Sequence, residues 1–202
     1  MPPTFFSAFL TLLCLAIMPL TSNAHANDPD TRNFTNAHGH WTLLAGYATT
    51  HPGLGDTATR VVNLDLALQY GRFLTQERGR SWYKGRHKLL AELPISIVFE
   101  PDNAIMTGIT FLGCWDFTAS RTLVPYVCAG GGFLYTNLNT PGLGSEYNGN
   151  YQGGIGLHYF FMENTSIDLN YRLHHVSNAG TATPNEPLNS SKLYVGLSFL
   201  RY

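Results

Sequence analysis

His175 and Ser177 stand two residues apart and bring together a base and a hydroxyl. On an extended chain, residues i and i+2 share one face with Cα atoms about 6.6 Å apart, a gap an imidazole can span. A serine hydroxyl becomes a useful nucleophile when an adjacent base takes its proton. The chemistry open to such a couple is hydrolysis or transfer of an acyl group. A His-x-Ser pair has low specificity by itself, so its value depends on the element that carries it. His174 falls on the opposite face and reads as an interior histidine. No CxxC motif or His/Cys cluster suggests a metal site.

The elements that must position this pair have a period of two. In 61–73, Val62, Leu64, Leu66, Leu68 and Tyr70 oppose Asn63, Asp65, Ala67 and Gln69. In 88–100, Leu89, Ala91, Leu93, Ile95, Ile97 and Phe99 oppose Lys88, Glu92, Ser96 and Glu100. The stretches 151–161 and 165–177 alternate in the same way. Strict alternation over this length predicts strands with one apolar and one polar face. Four less regular segments, about 40–50, 104–116, 122–135 and 190–202, bring the number to eight, separated by turn-rich stretches. The fold class expected is all-β, an eight-stranded antiparallel barrel.

Composition decides which face meets water. Charged residues are 12% of the 202, against roughly 25% in an ordinary soluble domain, while aromatics reach 13%. So few charges cannot coat a soluble surface, which argues against a lipocalin-like barrel. The polar sets Asp65, Glu92, Gln152, His158, Asp168 and Arg172 are balanced in sign and can fill a narrow interior. The chain ends on an alternating aromatic strand, Tyr194 to Tyr202, as outer-membrane proteins do. A transmembrane outer-membrane β-barrel, apolar outside and polar inside, follows. A net charge of -1 excludes bulk electrostatic binding of nucleic acid.

Residues 1–26 contain no Asp, Glu, Lys or Arg, carry an apolar run from Phe5 to Leu20, and end on Ala24-His25-Ala26. This predicts a signal peptide over 1–26, cleaved after Ala26, and a barrel domain over 27–202. Cys14 does not read as a lipoprotein signal, because Leu13 before it is too large. Cys114 and Cys128 fall on neighbouring strands. With the connecting turn centred near Ala119, Cys114 would face residue 124, so a disulfide is not expected.

With eight strands and both ends periplasmic, odd strands run outward, and the strand over 165–177 ends at the cell surface. The parity of Ile167, Leu169, Tyr171 and Leu173 carries His175 and Ser177 to the lipid-facing wall. A polar pair on a lipid face is costly, so a purely structural explanation fits it less well than it fits the polar interior. The alternative is that both sit at headgroup level, where polar side chains cost little. The connection from Thr75 to Arg86 is long and basic for a periplasmic turn, and reads as a solvated or interfacial cluster without a catalytic role.

The segment His175-Val-Ser-Asn-Ala-Gly180, followed by Pro184-Asn185 and Asn189, resembles the H-x-S-N-A-G…P-N motif of the lipid A 3-O-deacylase (PagL) family. Pro125 to Tyr135 and Gln152 to Phe161 resemble that family's fifth and sixth strands. The resemblance implies an eight-stranded outer-membrane barrel that hydrolyses the ester of the 3-hydroxyacyl chain at position 3 of lipid A in lipopolysaccharide, without a cofactor. Carried over by position, Ser177 is the nucleophile and His175 the general base and later acid. Backbone N–H groups of Asn178 and Gly180 would be oxyanion donors, with Asn185 in support.

One position departs from the family: Asn189 stands where its members have a Glu that orients the histidine. In the serine-protease triad, Asp to Asn in this role lowers kcat about 10⁴-fold, through the wrong imidazole tautomer. Glu186, three residues earlier, is a possible substitute for the acid. The partners expected are lipid A and the outer-membrane lipids, with a homodimer left open. Two other readings remain: a non-catalytic adhesion or structural barrel, and another lipid-modifying barrel such as a phospholipase or acyltransferase.

Overall fold

The computed structural model describes residues 34–140 and 142–202; the expected signal peptide lies outside the described residues. Eight strands close into one barrel, each paired antiparallel with its sequence neighbours and the last with the first. They are β1 (Gly39–Thr50), β2 (Val62–Phe73), β3 (Gly85–Glu100), β4 (Ala104–Phe117), β5 (Leu123–Thr136), β6 (Tyr147–Met162), β7 (Thr165–Ser177) and β8 (Leu188–Arg201). Every described β-strand coincides with a segment of alternating pattern. β6 begins four residues before the alternation at 151 makes it visible.

The period-two pattern resolves into two surfaces. Leu64, Leu68, Leu93, Ile95, Ile97, Leu169 and Leu173 are exposed on the outer wall, while Asp65, Gln69, Lys88, Glu92, Asp168 and Arg172 are buried in the lumen. Buried charge is tolerated here because each of these charged groups has at least one polar or oppositely charged partner. Arg172 Nη1 lies 2.7 Å from Glu92 Oε2, which also accepts from Gln69 Nε2 at 2.6 Å. Lys192 Nζ and Tyr194 Oη both donate to Asp65 Oδ2, at 2.9 and 2.7 Å. Lys88 Nζ meets Asp116 Oδ1 at 2.9 Å, and His158 Nδ1 meets Asp168 Oδ2 at 3.1 Å.

Apolar clusters close both ends of this polar column. At one end Phe34, Ala37, Phe73, Val124 and Leu200 pack together. Arg86 supports that end: it is buried and donates to the carbonyls of Phe34, Ala37 and Thr75. This corrects the reading of 75–86 as a solvated or interfacial cluster at one position: Arg86 belongs to the lumen because β3 begins earlier than its alternation suggests. At the other end Val61, Val98, Met106, Leu134, Leu138, Leu143, Val176 and Leu188 form the plug.

The β4–β5 register also corrects an expectation. Cys114 pairs with Cys128, not with residue 124. β4 continues to Phe117, and the turn is shifted toward β5, where Ser120 Oγ accepts the N–H groups of Thr122 and Leu123. A turn held by a side-chain hydroxyl leaves no mark in the hydrophobic alternation.

Candidate active site

The end of β7 and the start of β8 build the site. Val176 points inward and is buried in the apolar plug, which fixes the face of its two neighbours. His175 and Ser177 therefore lie on the outer face of β7, in line with the exposed Tyr171 and Leu173; His175 is half-buried and Ser177 buried, and His174 is buried in the lumen. His175 Nε2 lies 3.1 Å from Ser177 Oγ. Across the ladder, His175 is the direct partner of Asn189 on β8 and of Tyr151 on β6. The Tyr151 ring stacks on the imidazole, with centroids 5.7 Å apart and planes 26° apart.

Asn189 Oδ1 lies 2.7 Å from His175 Nδ1. Its orientation follows from what lies behind it. Asn189 Nδ2 donates to the Leu54 carbonyl at 2.9 Å and to Thr57 Oγ1 at 2.8 Å, and the Asn189 backbone N–H donates to the same hydroxyl at 3.0 Å. A backbone carbonyl only accepts, so the amide nitrogen must face it and the amide oxygen must face the imidazole. An amide oxygen also only accepts, so His175 Nδ1 carries the proton and Nε2 presents its lone pair to Ser177. The connection between β1 and β2, far away in sequence, thus selects the tautomer that a general base needs.

The loop from Asn178 to Pro187 is held by one buried side chain. Asn178 Nδ2 donates to the carbonyls of Leu143 and Pro184, at 2.9 and 3.0 Å. Its Oδ1 accepts the Gly180 N–H at 2.9 Å, and its own N–H donates to Asn185 Oδ1 at 2.9 Å. The two backbone donors named from the motif are therefore already engaged. Between them Ala179 adopts φ 55°, an uncommon conformation for a residue with a Cβ. Ala179 is exposed, and its N–H has no acceptor among the described residues. The β5–β6 loop packs on this turn through Gly144, at φ 65°, where a Cβ would fall 2.0 Å from the Pro184 carbonyl oxygen.

Glu186 does not reach the imidazole. Its backbone N–H donates to the Gly142 carbonyl, its carboxylate lies against Gly142, and both ring nitrogens of His175 already face Asn189 and Ser177. Leu54 and Thr57 went unnoticed in the sequence: a carbonyl contact has no residue signature, and a threonine in a loop is unremarkable. The wall beside the pair is open. Gly149 is the direct partner of Ser177, and a Cβ there would meet only the Ser177 carbonyl oxygen, at 3.8 Å. Phe133, Tyr147 and Tyr151 stand exposed around it.

A family model described as lipid A 3-O-deacylase (PagL) matches residues 45–198. The crystal structure of the outer membrane enzyme PagL is similar over 78% of this chain and 97% of that one, with 19% identity and a TM-score of 0.55. The crystal structure of Neisserial surface protein A is similar over 81% and 97%, with 14% identity and a TM-score of 0.60. At these identities the structures share a fold, and that fold serves an enzyme and a surface protein alike. No curated protein matches the chain in sequence.

Proposed function

The chain belongs to the lipid A 3-O-deacylase (PagL) family, an outer-membrane ester hydrolase, and on that premise we propose that His175 and Ser177 are the couple that performs the deacylation. The observation that carries the proposal is the 3.1 Å contact between His175 Nε2 and Ser177 Oγ on the outer wall, with Nδ1 held from behind. A nucleophile and base within hydrogen-bond reach, with the base oriented by a third group, is the arrangement that serine acyl transfer requires.

In the first step Ser177 Oγ attacks the carbonyl carbon of the 3-hydroxyacyl ester at position 3 of lipid A, and His175 Nε2 takes the hydroxyl proton. The tetrahedral oxyanion needs fixed donors. Ala179 N–H is free to serve, and the N–H groups of Asn178 and Gly180 contribute by sharing the bonds they already make, with Asn185 holding the Asn178 N–H in place. Collapse breaks the ester bond, and His175 returns its proton to the departing sugar oxygen. Water, deprotonated by His175, then hydrolyses the acyl-serine and releases a 3-hydroxy fatty acid. The scheme uses no cofactor and one copy of the chain; a homodimer adds nothing to it.

The outward aim of the couple supports a substrate that stays in the membrane. If β7 ends at the cell surface, the pair stands in the outer leaflet, where lipid A resides, and the ester is attacked without extracting the lipid. Mass spectrometry of lipid A from cells producing the protein, or its Ser177→Ala variant, tests the proposal. The expected result is loss of one ester-linked 3-hydroxyacyl chain with the unaltered protein and none with a correctly folded variant. Equal deacylation by both would remove Ser177 from its role.

A further inference from the structure

Cys114 and Cys128 are directly opposed across the β4–β5 ladder. Both are buried on the lumen side, beside Leu90, Leu112 and Tyr126. Both are free thiols in this structure, and Cys114 Sγ lies 3.8 Å from the Leu112 carbonyl oxygen. Directly opposed residues of an antiparallel pair stand about 4.5 or 5.5 Å apart at Cα, depending on their place in the ladder. Either separation lies inside the range of about 4.4–6.8 Å that a disulfide bridges. Residues 27–202 contain no other cysteine. An outer-membrane barrel reaches its membrane through the bacterial periplasm, a compartment in which thiols are oxidised.

We propose that Cys114 and Cys128 close into a disulfide during export, joining β4 to β5 from inside the barrel. The oxidant is the disulfide of a periplasmic thiol oxidase. The thiolate of one cysteine attacks that disulfide, forming a mixed disulfide and releasing one oxidant thiolate. The thiolate of the second cysteine then attacks the protein sulfur of the mixed disulfide and expels the other. One S–S bond forms in the chain, one is lost from the oxidant, and two electrons and two protons pass to the oxidant. Because both sulfurs face the lumen, two folded copies cannot pair through them, and the bond forms within one chain. Burial also sets the order of events: oxidation precedes closure of the barrel, and closure then shields the bond from reductants.

The test uses the full chain, exported and isolated in outer membranes, quenched in acid and alkylated under denaturing conditions. Peptides carrying Cys114 and Cys128 are then read by mass spectrometry. The expected result without reductant is unalkylated cysteines and a cross-linked pair of peptides lighter by two hydrogens than the two thiol peptides. Prior reduction should give full alkylation at both positions. Full alkylation of both without reductant would overturn the proposal, as would a disulfide joining either cysteine to another chain. The Cys114→Ser variant adds an independent check: Cys128 should become alkylated without reductant, and a Cys128 already alkylated to the same extent in the unaltered protein would overturn the pairing.

Discussion

Asn189 faces His175 with its oxygen because its nitrogen is held 2.9 Å from the carbonyl of Leu54. An amide has no charge with which to stabilise an imidazolium, but it can fix a tautomer if something else fixes the amide. The β1–β2 connection does so here. The large penalty for an amide in the protease triad was assigned to the wrong tautomer. The arrangement at Asn189 removes that cause and leaves only the loss of charge stabilisation.

Replacing Asn189 separates these two contributions. Asn189→Leu keeps the approximate size and removes the acceptor, so His175 loses its orientation. We expect kcat to fall about 10²–10⁴-fold, the range of a general base's contribution, with KM little changed. Asn189→Asp restores an oxygen at Nδ1 and should recover most of the loss, although it sets a carboxylate against the Leu54 carbonyl. Steady-state deacylation of purified lipopolysaccharide by the three proteins measures this. A Leu variant as active as the unaltered protein would show that the amide does not orient the base.

Thr57 is buried, and its hydroxyl accepts from both the backbone N–H and the side chain of Asn189. Thr57→Val keeps the shape and removes those acceptors. A net hydrogen bond contributes about 1 kcal/mol, which corresponds to roughly a fivefold change in an equilibrium. We expect kcat to fall by about that factor, and the combined Thr57→Val, Asn189→Leu protein to be no worse than Asn189→Leu alone. Additive losses would mean that Thr57 acts by a route other than Asn189.

In the lumen, Arg172 and Glu92 are both buried and joined at 2.7 Å. Removing one partner of a buried pair costs about 3–5 kcal/mol, because the other charge is left without compensation. Arg172→Met should therefore lower barrel stability by about that amount, read as earlier unfolding in denaturant. Arg172→Met with Glu92→Gln should recover a large part of it. Deacylation per folded molecule should hardly change, since Arg172 and the proposed His175–Ser177 couple lie on opposite faces of β7.

Much of this was legible in the alternation itself. Every described strand stands where apolar and polar residues trade places, and the parity that puts Leu169 and Leu173 outside also puts His175 and Ser177 there. Asn189 could be nominated only from its place in the motif; its register opposite His175 is set by the fold of the β7–β8 connection. What stayed hidden depends on backbone groups and on turns. The Leu54 carbonyl has no sequence signature. The cysteine register turned on two residues of drift in one turn, enough to exchange residue 124 for Cys128. The engagement of the Asn178 and Gly180 N–H groups follows from the fold of the Asn178 amide, which the motif alone does not reveal.

The outward aim of the site makes one more prediction, at Gly149. This residue sits directly opposite Ser177, its missing side chain would point to lipid, and a Cβ there would touch nothing closer than 3.8 Å. Gly149→Phe should therefore fold: the position lies in a strand, where an aromatic residue has a favourable propensity, and the added ring meets lipid. If substrate reaches Ser177 along the outer wall, that ring stands in its path. We expect kcat/KM for lipopolysaccharide to fall at least tenfold, the loss of about 1.4 kcal/mol of transition-state binding. A small water-soluble ester, which needs no lipid track, should be hydrolysed nearly as before. Substitution of the lumen residue Gln152, one strand position beyond Tyr151, should leave the ratio of the two activities unchanged. Equal loss on both esters at Gly149 would point to a distorted couple, and no loss on either would mean that substrate approaches from the β8 side.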